Sequence, residues 1–346
     1  MAEQIDDLTA RLGRAEDVLA VHEVIAGYGL TADGGSVTAG GSLWTEDCAY
    51  DSDADGADGG YRTRAGIEAL IEVAGRAQMG FAHITGLPLV VVDGDAATAH
   101  GASYLPVSSD GTEFHLSRVS ANGWDLVRIE GRWQTQRRTS RTLNGSTASK
   151  EVFAHGARRA VAERDAMAML DSGPEANGEI VQDDVADWAE LDRRLRLVED
   201  KLAILQVVAG YGPSVDGGAV TEAGSLWTVD SWYDTDASPA AAVPHGRAGI
   251  EGAAQRFLDD PVGLAHISHM PMIKVDGDRA TVVNHSNTFD QDGDGYRIGR
   301  VSANRWDLVR VDGTWQIEHR VNRLLDGTRV AKDLLAEGVR TVLDTE

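Results

Sequence analysis

The chain has 346 residues, of which 42% are hydrophobic and 25% charged, as is typical of a globular protein long enough for two domains. The formal net charge of −23 argues against a nucleic-acid partner, because nucleic-acid binding depends on Lys and Arg side chains that neutralise phosphate. The N-terminus is acidic and amphipathic, and no window approaches the length of an apolar membrane span, so we expect no membrane partner. The single cysteine, Cys48, predicts a reducing, cytoplasmic location and excludes a multi-cysteine metal site.

One long segment of sequence occurs twice. Residues 24–35 (VIAGYGLTADGG) match residues 207–218 (VVAGYGPSVDGG) at an offset of 183, and after the loss of one residue 118–133 match 300–315. This period is too long for a solenoid unit, so each copy is a full domain. The sequence therefore predicts domains at 1–166 and 188–346, joined by a linker at 167–187 that contains Gly, Pro and acidic residues.

The same order of elements is predicted in both copies. A long amphipathic helix covers about 5–28 (187–211 in the second copy), and the Gly-rich ADGG ends it. GSLWTED (41–47) predicts a short second helix, and RAGIEALIEVAGRA (64–77) a third. Strand-like runs joined by hairpin turns such as DGD and SDG follow. Helices followed by strands indicate an α+β domain, with the helices on one face of an antiparallel sheet.

Three polar residues recur with identical spacing, five residues from Tyr to Asp and fifty from Asp to His. They are Tyr28, Asp33 and His83 in the first copy and Tyr211, Asp216 and His266 in the second. A neutral imidazole is a natural general base near pH 7, and a carboxylate behind it fixes the tautomer and stabilises the imidazolium. The alternative is structural: Asp33 caps a turn and His83 is a hydrogen-bonded core histidine.

These motifs, together with RxSxxxWDLVRxxGxW, resemble the SnoaL-like branch of the nuclear transport factor 2-like superfamily over nearly the whole of each copy. The branch includes scytalone dehydratase, bile-acid 7α-dehydratase, hexachlorocyclohexane dehydrochlorinase, ketosteroid isomerases and polyketide cyclases. The resemblance implies a cone-shaped α+β barrel, in which about three helices wrap a curved antiparallel sheet around a cavity. It also implies an Asp–His dyad at Asp33/His83 and at Asp216/His266, acting without a cofactor.

Further candidate residues follow from strand parity. Arg141 and Arg323 lie eight residues after Trp133 and Trp315, so an unbroken strand places each on the face of its tryptophan, where it could stabilise a developing charge. Surface arginines are the alternative. The predicted substrate-contacting residues are Trp44, Phe81, Tyr104 and Trp124 in the first copy and Trp227, Leu264, Asn287 and Trp306 in the second.

Two observations limit metal sites and identical pockets. His269 lies an odd number of residues after His266, so the two do not form a zinc pair, and His269 is expected at the surface or against a helix. Acidic stretches beginning at Asp51 and Asp290 imitate calcium loops but lack the bidentate Glu at position twelve. We expect no metal. Tyr104 aligns with Asn287, which predicts cavities that differ between the copies.

The sequence favours a cofactor-independent lyase, of the dehydratase or dehydrohalogenase type, in which His83 and His266 take a proton from a mostly apolar steroid, terpenoid or polyketide. A ketosteroid-type isomerase or polyketide cyclase could use the same dyad. A different class is a non-catalytic small-molecule-binding or assembly module; an epoxide hydrolase ranks lowest, because no Asp–Arg–Asp cluster can be assembled. The two copies are expected to pack as an intramolecular pseudo-dimer, which could associate further into a homo-oligomer.

Overall fold

In a computed structural model, the first half of the chain combines helices with one curled sheet. The structure describes residues 2–53, 60–111, 113–144, 147–155, 185–216, 218–237, 244–259, 264–292 and 295–343. In the first half the elements are α1 (Ala2–Gly34), α2 (Val37–Ser42), β1 (Trp44–Ser52), β2 (Tyr61–Arg62), α3 (Thr63–Arg76), β3 (Gly80–Phe81), β4 (Ile84–Thr85), β5 (Leu89–Asp93), β6 (Ala96–Ser108), β7 (His115–Ile129), β8 (Arg132–Thr142) and α4 (147–155).

The second half repeats this order. Its elements are α5 (Val185–Asp216), α6 (Val220–Ser225), β9 (Trp227–Thr235), α7 (Gly246–Asp259), β10 (Leu264–Ser268), β11 (Met272–Asp276), β12 (Arg279–Asp292), β13 (Gly295–Val311), β14 (Thr314–Leu324) and α8 (Arg329–Leu343). Most of the predicted linker, residues 167–184, lies outside the described residues, and its last three residues belong to α5.

Each half contains one mixed sheet. The first has the order β2-β1-β8-β7-β6, with β3, β4 and β5 each paired to β6; the second has the order β9-β14-β13-β12, with β10 and β11 paired to β12. Neighbouring strands are antiparallel except β1 with β8 and β9 with β14, which are parallel. The α+β class is therefore as predicted, but the sheets are not purely antiparallel.

The predicted second helix is displaced. The structure ends α2 at Ser42 and begins β1 at Trp44, so most of GSLWTED is strand rather than helix. The burial of β1 explains the difference, because Trp44 and Cys48 are almost completely buried while Glu46 and Asp47 are exposed. The third helix is found where it was predicted, at Thr63–Arg76.

An apolar cluster joins the two halves. Ala26 and Leu30 of α1 pack with Val283 and Val301 of the second sheet and with Leu335 of α8. Charged pairs between the long helices accompany it: Arg194 Nη2 lies 2.6 Å from Glu16 Oε2, and Lys201 Nζ lies 2.6 Å from Glu23 Oε1. The end of α1, where Asp33 lies, is therefore packed against both halves. None of the described helices is long and apolar enough to cross a membrane.

Candidate active site

The first dyad forms where the last turn of α1 meets the segment between β3 and β4. Asp33 Oδ1 lies 2.5 Å from His83 Nδ1, and the backbone N–H of His83 donates to Asp33 Oδ2 at 2.7 Å. His83 falls in the gap between the two short strands, next to Ala82, which stands opposite Pro106, a residue with no N–H to donate to a ladder. The carboxylate is thus bound through both oxygens and fixes the imidazole orientation.

The second dyad has the same geometry. Asp216 Oδ1 lies 2.5 Å from His266 Nδ1, and the His266 backbone N–H donates to Asp216 Oδ2 at 2.6 Å. His266 lies within the continuous strand β10. Both Asp–His pairs that the sequence singled out are therefore brought together by the fold.

A glycine next to each tyrosine permits this approach. A Cβ atom built on Gly29 would collide with the carbonyl oxygen of His83, and one built on Gly212 would collide with that of His266. The helix and the histidine segment can come this close only because the residue after Tyr28 and Tyr211 has no side chain.

The charge of Asp33 is held by its hydrogen-bond donors. Burial by itself would raise the pKa of this fully buried carboxyl, but His83 and the buried His285 lower it to about 2. Asp33 is therefore ionised throughout the neutral range, as a group must be that orients and stabilises an imidazolium.

Tyr28 packs against the dyad from the interior. Its ring meets that of His83 edge-on with 5.9 Å between centroids, and Trp44 and Tyr50 surround it. Burial raises the pKa of the Tyr28 hydroxyl, so the phenol stays neutral. Tyr211 is arranged in the same way against His266, at 6.0 Å.

A buried arginine that sequence reasoning missed covers the tyrosine in each half. The guanidinium carbon of Arg138 lies 4.6 Å from the Tyr28 ring centroid, and that of Arg320 lies 4.4 Å from the Tyr211 ring centroid. Their Nε and Nη2 atoms donate to Asn122 and Asn304 respectively. The Nη1 atom of each arginine has no hydrogen-bond partner among the described residues, although both side chains are buried.

The arginine choice from strand parity was wrong, because β8 and β14 are not regular. Thr135 pairs with Leu126 and Arg137 with Asp125, so Gln136 is an extra residue that reverses the parity beyond it. Arg138 and Ser140 consequently face the interior, while Arg141 faces the other way and forms an ion pair with Asp51 at 2.9 Å. The same irregularity at Glu318 turns Arg323 toward Asp234, 2.6 Å away.

A cleft opens beside His83. It has a volume of about 80 Å³, and the His83 side chain is 31% exposed. Nine of its eleven lining residues carry a polar group, although much of the surface that they present to the cleft is apolar; the lining comprises Tyr50, His83, Ile84, Thr85, Ser103, Tyr104, Leu105, Arg118, Ser120, Arg138 and Ser140. Since Asp33 occupies Nδ1, the Nε2 atom of His83 is the nitrogen left to meet a ligand.

The corresponding region of the second half is bridged by an asparagine. Asn322, which aligns with Ser140, donates from Nδ2 to Asn304 Oδ1 at 2.8 Å and accepts from Arg300 Nη2 at 2.9 Å. In the first half, the hydroxyl of Ser140 accepts from Arg118 Nη2 at 3.3 Å. The longer side chain thus ties together polar groups that stand apart around the first cleft.

The predicted substrate-contacting residues separate into three groups, which lie beside the dyad histidines, in the apolar cores and between the two halves. Phe81 packs edge-on against His83 at 5.6 Å between centroids, and Leu264 begins β10 beside His266. The four tryptophans, Trp44, Trp124, Trp227 and Trp306, are almost completely buried in the cores.

Tyr104 and Asn287 meet each other across the two halves. The Tyr104 hydroxyl donates to Asn287 Oδ1 at 2.8 Å. His269 joins them, with its Nε2 atom 3.0 Å from the Tyr104 hydroxyl and 2.5 Å from Asn287 Oδ1. The sequence predicted His269 at the surface or against a helix, and this prediction was wrong. His269 lies between the two sheets. Among the described residues, no group of three or more His, Cys, Asp or Glu side chains could hold a metal ion.

The comparisons with known proteins agree with the repeat. A family model described as SnoaL-like domain matches residues 13–139 and again residues 196–321. No protein of curated function matches the chain.

Among solved structures, an NTF2-like protein with a cystatin-like fold from Novosphingobium aromaticivorans is 34% identical, covering 45% of this chain and 99% of its own, with a TM-score of 0.39. A protein of unknown function from Mycobacterium tuberculosis is 20% identical over 42% of this chain and 90% of its own, with a TM-score of 0.35. One from Nostoc punctiforme, also of unknown function and with a cystatin-like fold, is 17% identical over 36% and 90%, with a TM-score of 0.32.

Proposed function

Because the chain belongs to the SnoaL-like domain family, we propose that it catalyses a cofactor-independent reaction that begins with removal of a proton from carbon, in the simplest case elimination of water or halide. The observation that supports this most strongly is the hydrogen bond between Asp33 and His83 at the edge of a cleft. A carboxylate that binds one imidazole nitrogen leaves the other with a lone pair, which is the arrangement of a general base.

The proton path follows from the two nitrogens of His83. Nδ1–H donates to Asp33, so Nε2 accepts the proton from the carbon next to a substrate carbonyl. As the carbon–carbon double bond forms, the substituent on the neighbouring carbon departs. The imidazolium returns its proton to a departing hydroxide, which leaves as water. A halide instead leaves as the anion, and His83 then releases its proton to solvent. Asp33 stabilises the imidazolium between these steps.

Arg138 is the best placed group to stabilise the negative charge that develops on the carbonyl oxygen. It lines the same cleft as His83, and its Nη1 atom has no partner among the described residues. A buried N–H donor without a partner costs free energy, and an oxyanion would satisfy it. Tyr28, behind the cleft, holds the imidazole face and supports the guanidinium.

The cleft restricts the part of the substrate that can enter. A volume of about 80 Å³ is well below the ~300–1,000 Å³ of pockets that enclose drug-sized ligands. We therefore expect the reacting hydroxy- or halo-carbonyl unit to enter beside His83, Ser103 and Arg138, while a larger apolar body extends from the mouth.

The alternatives differ in their products and not in the first step. An isomerase or cyclase would use the same proton abstraction and lose no water or halide, and a binding module would retain ligand unchanged. The family includes dehydratases, isomerases and cyclases, so elimination is the proposal and not a consequence of membership.

Solvent deuterium exchange provides a test that precedes knowledge of the natural substrate. The full chain is incubated in D₂O with a panel of β-hydroxy and β-halo ketones, including hydroxy-substituted ketosteroids, and products are followed by NMR and mass spectrometry. We expect deuterium at the carbon next to the carbonyl together with an unsaturated product, and a loss of about 10²- to 10⁴-fold in His83→Ala. His100→Ala is the matched control, because His100 lines no part of this cleft. Deuterium exchange that is equal in His83→Ala and the unchanged chain would contradict the proposal.

A further inference from the structure

The two dyads differ in how their carboxylates are enclosed. The Asp33 side chain has no exposed surface, whereas that of Asp216 is 17% exposed. Two elements of the second half cover Asp33. Helix α8 packs against the end of α1 at Gly34, and His285 on β12 places its Nε2 atom 2.9 Å from Asp33 Oδ2. His285 is itself 4% exposed. Its Nε2 forms no hydrogen bond of good angular geometry among the described residues, so its link to Asp33 is a close polar contact rather than an aligned hydrogen bond.

In the first half, an alanine takes the position equivalent to His285, so the second dyad has no matching histidine there. Ala303 pairs with His285 in the second sheet, and the matching residue Ala121 pairs with Ala102 in the first. An alanine therefore stands where His285 would be, and its methyl group has no hydrogen to donate to Asp216. The histidine completes one site only.

His285 can affect the base His83 through the Asp33 carboxylate that both histidines contact. His83 and His285 both contact the carboxylate. Lys332 of α8, whose ammonium donates to the carbonyl of Gly75 at 3.0 Å, is a further charged group near it. A second polar contact on Oδ2 draws negative charge away from Oδ1, which weakens the interaction of the carboxylate with His83. The same contact keeps the carboxylate from rotating.

We infer that His285 of the second half is a positioning residue of the first dyad, reaching across the interface to fix the Asp33 carboxylate and to moderate the basicity of His83. The catalytic role inferred for His285 rests on the proposed function, whereas its physical effect on Asp33 and His83 does not. His285 and the dyad come from different halves, so a single copy would build the dyad without this contact.

Histidine side-chain NMR on the full chain tests this inference without a substrate. With ¹⁵N-labelled protein, His285→Ala should move the midpoint of the His83 titration upward by about half a pH unit, because one competitor for the carboxylate is removed. His266 in the same spectra should not move. His285→Gln, which restores an N–H donor, should return the His83 midpoint toward its starting value, and Ala102→His should lower that of His266.

His269→Asn is the matched control, since it changes another histidine of the same interface that does not contact Asp33. An unchanged His83 midpoint in His285→Ala, or an equal change in His269→Asn, would overturn the inference. With an active substrate, His285→Ala should lower kcat by about tenfold, less than loss of the base itself, with KM little changed. A shifted His83 midpoint with no detectable turnover in the unchanged chain would disprove the proposed function while supporting the positioning role.

Discussion

Single residues at the interface set which groups carry charge. Asp33 keeps its negative charge because His83 and His285 lower its pKa to about 2 against the effect of burial. His269, in the same interface, is driven the other way: burial lowers its pKa to about 4, and the proximity of His285 adds to this, in spite of its hydrogen bond to Asn287. At neutral pH this part of the interface therefore contains the ionised carboxylate of Asp33 and the neutral imidazole of His269.

His269 should make stability depend on pH. The unfolded chain protonates this histidine near pH 6.5, and the folded protein only near 4, so unfolding takes up a proton between these values and stability falls as the pH is lowered through them. We expect the free energy of unfolding to lose about 1 to 3 kcal/mol from this group between pH 6.5 and 4. Urea unfolding of His269→Asn should show a smaller loss of stability between pH 6.5 and 4 than the unchanged chain. His115→Asn, a change at an exposed position, should lose as much stability as the unchanged chain. Identical pH slopes in all three proteins would contradict the assignment.

At the scale of elements, the site depends on one close helix–strand approach and one strand irregularity. Gly29 lets α1 touch the backbone of His83, and the extra residue Gln136 in β8 turns Arg138 rather than Arg141 toward the cleft. Both features repeat in the second half, at Gly212 and Glu318.

Replacing Gly29 by alanine should separate the dyad. The new methyl group would meet the His83 carbonyl, so we expect a loss of about 1 to 3 kcal/mol in the free energy of unfolding and a weakened Asp33–His83 hydrogen bond. Gly13→Ala in the same helix is the control, because its nearest neighbour would be the Arg194 guanidinium at an ordinary 3.6 Å; it should be neutral or stabilising. Chemical denaturation and the Nδ1–H resonance of His83 measure both effects. Equal stability of the two variants would show that the close approach is not required.

The repeat explains why much of this could be predicted from the sequence. Two copies with constant spacing separated Asp33 and His83 from many other polar residues, and the amphipathic pattern predicted α1 and α3. The short helix at GSLWTED could not be placed, because the burial of Trp44 against the sheet favours a strand over local preference. Arg138 was missed because a single inserted residue reverses strand parity, and a bulge leaves no local signal in β8. His285 could not be found at all, since its partner lies in the other half.

At the scale of the whole molecule, the duplication has produced two unequal halves. Tyr104 and Asn287 occupy equivalent positions and contact each other, which is the behaviour of residues on the axis of an isologous interface, and we propose that the halves form an intramolecular pseudo-dimer. The first half has an open cleft and a dyad enclosed by His285. In the second, Asn322 bridges Asn304 and Arg300 where Ser140 leaves room. From both differences we propose that the first dyad is the working one.

Turnover by the two single histidine variants tests this account most directly. Rates of solvent deuterium incorporation and product formation are compared for the unchanged chain, His83→Ala, His266→Ala and the double variant, at saturating substrate and with folding verified by circular dichroism. The account predicts that His83→Ala loses about 10²- to 10⁴-fold, as does the double variant, while His266→Ala keeps most of its rate. Full activity in His83→Ala, or a loss confined to His266→Ala, would contradict it.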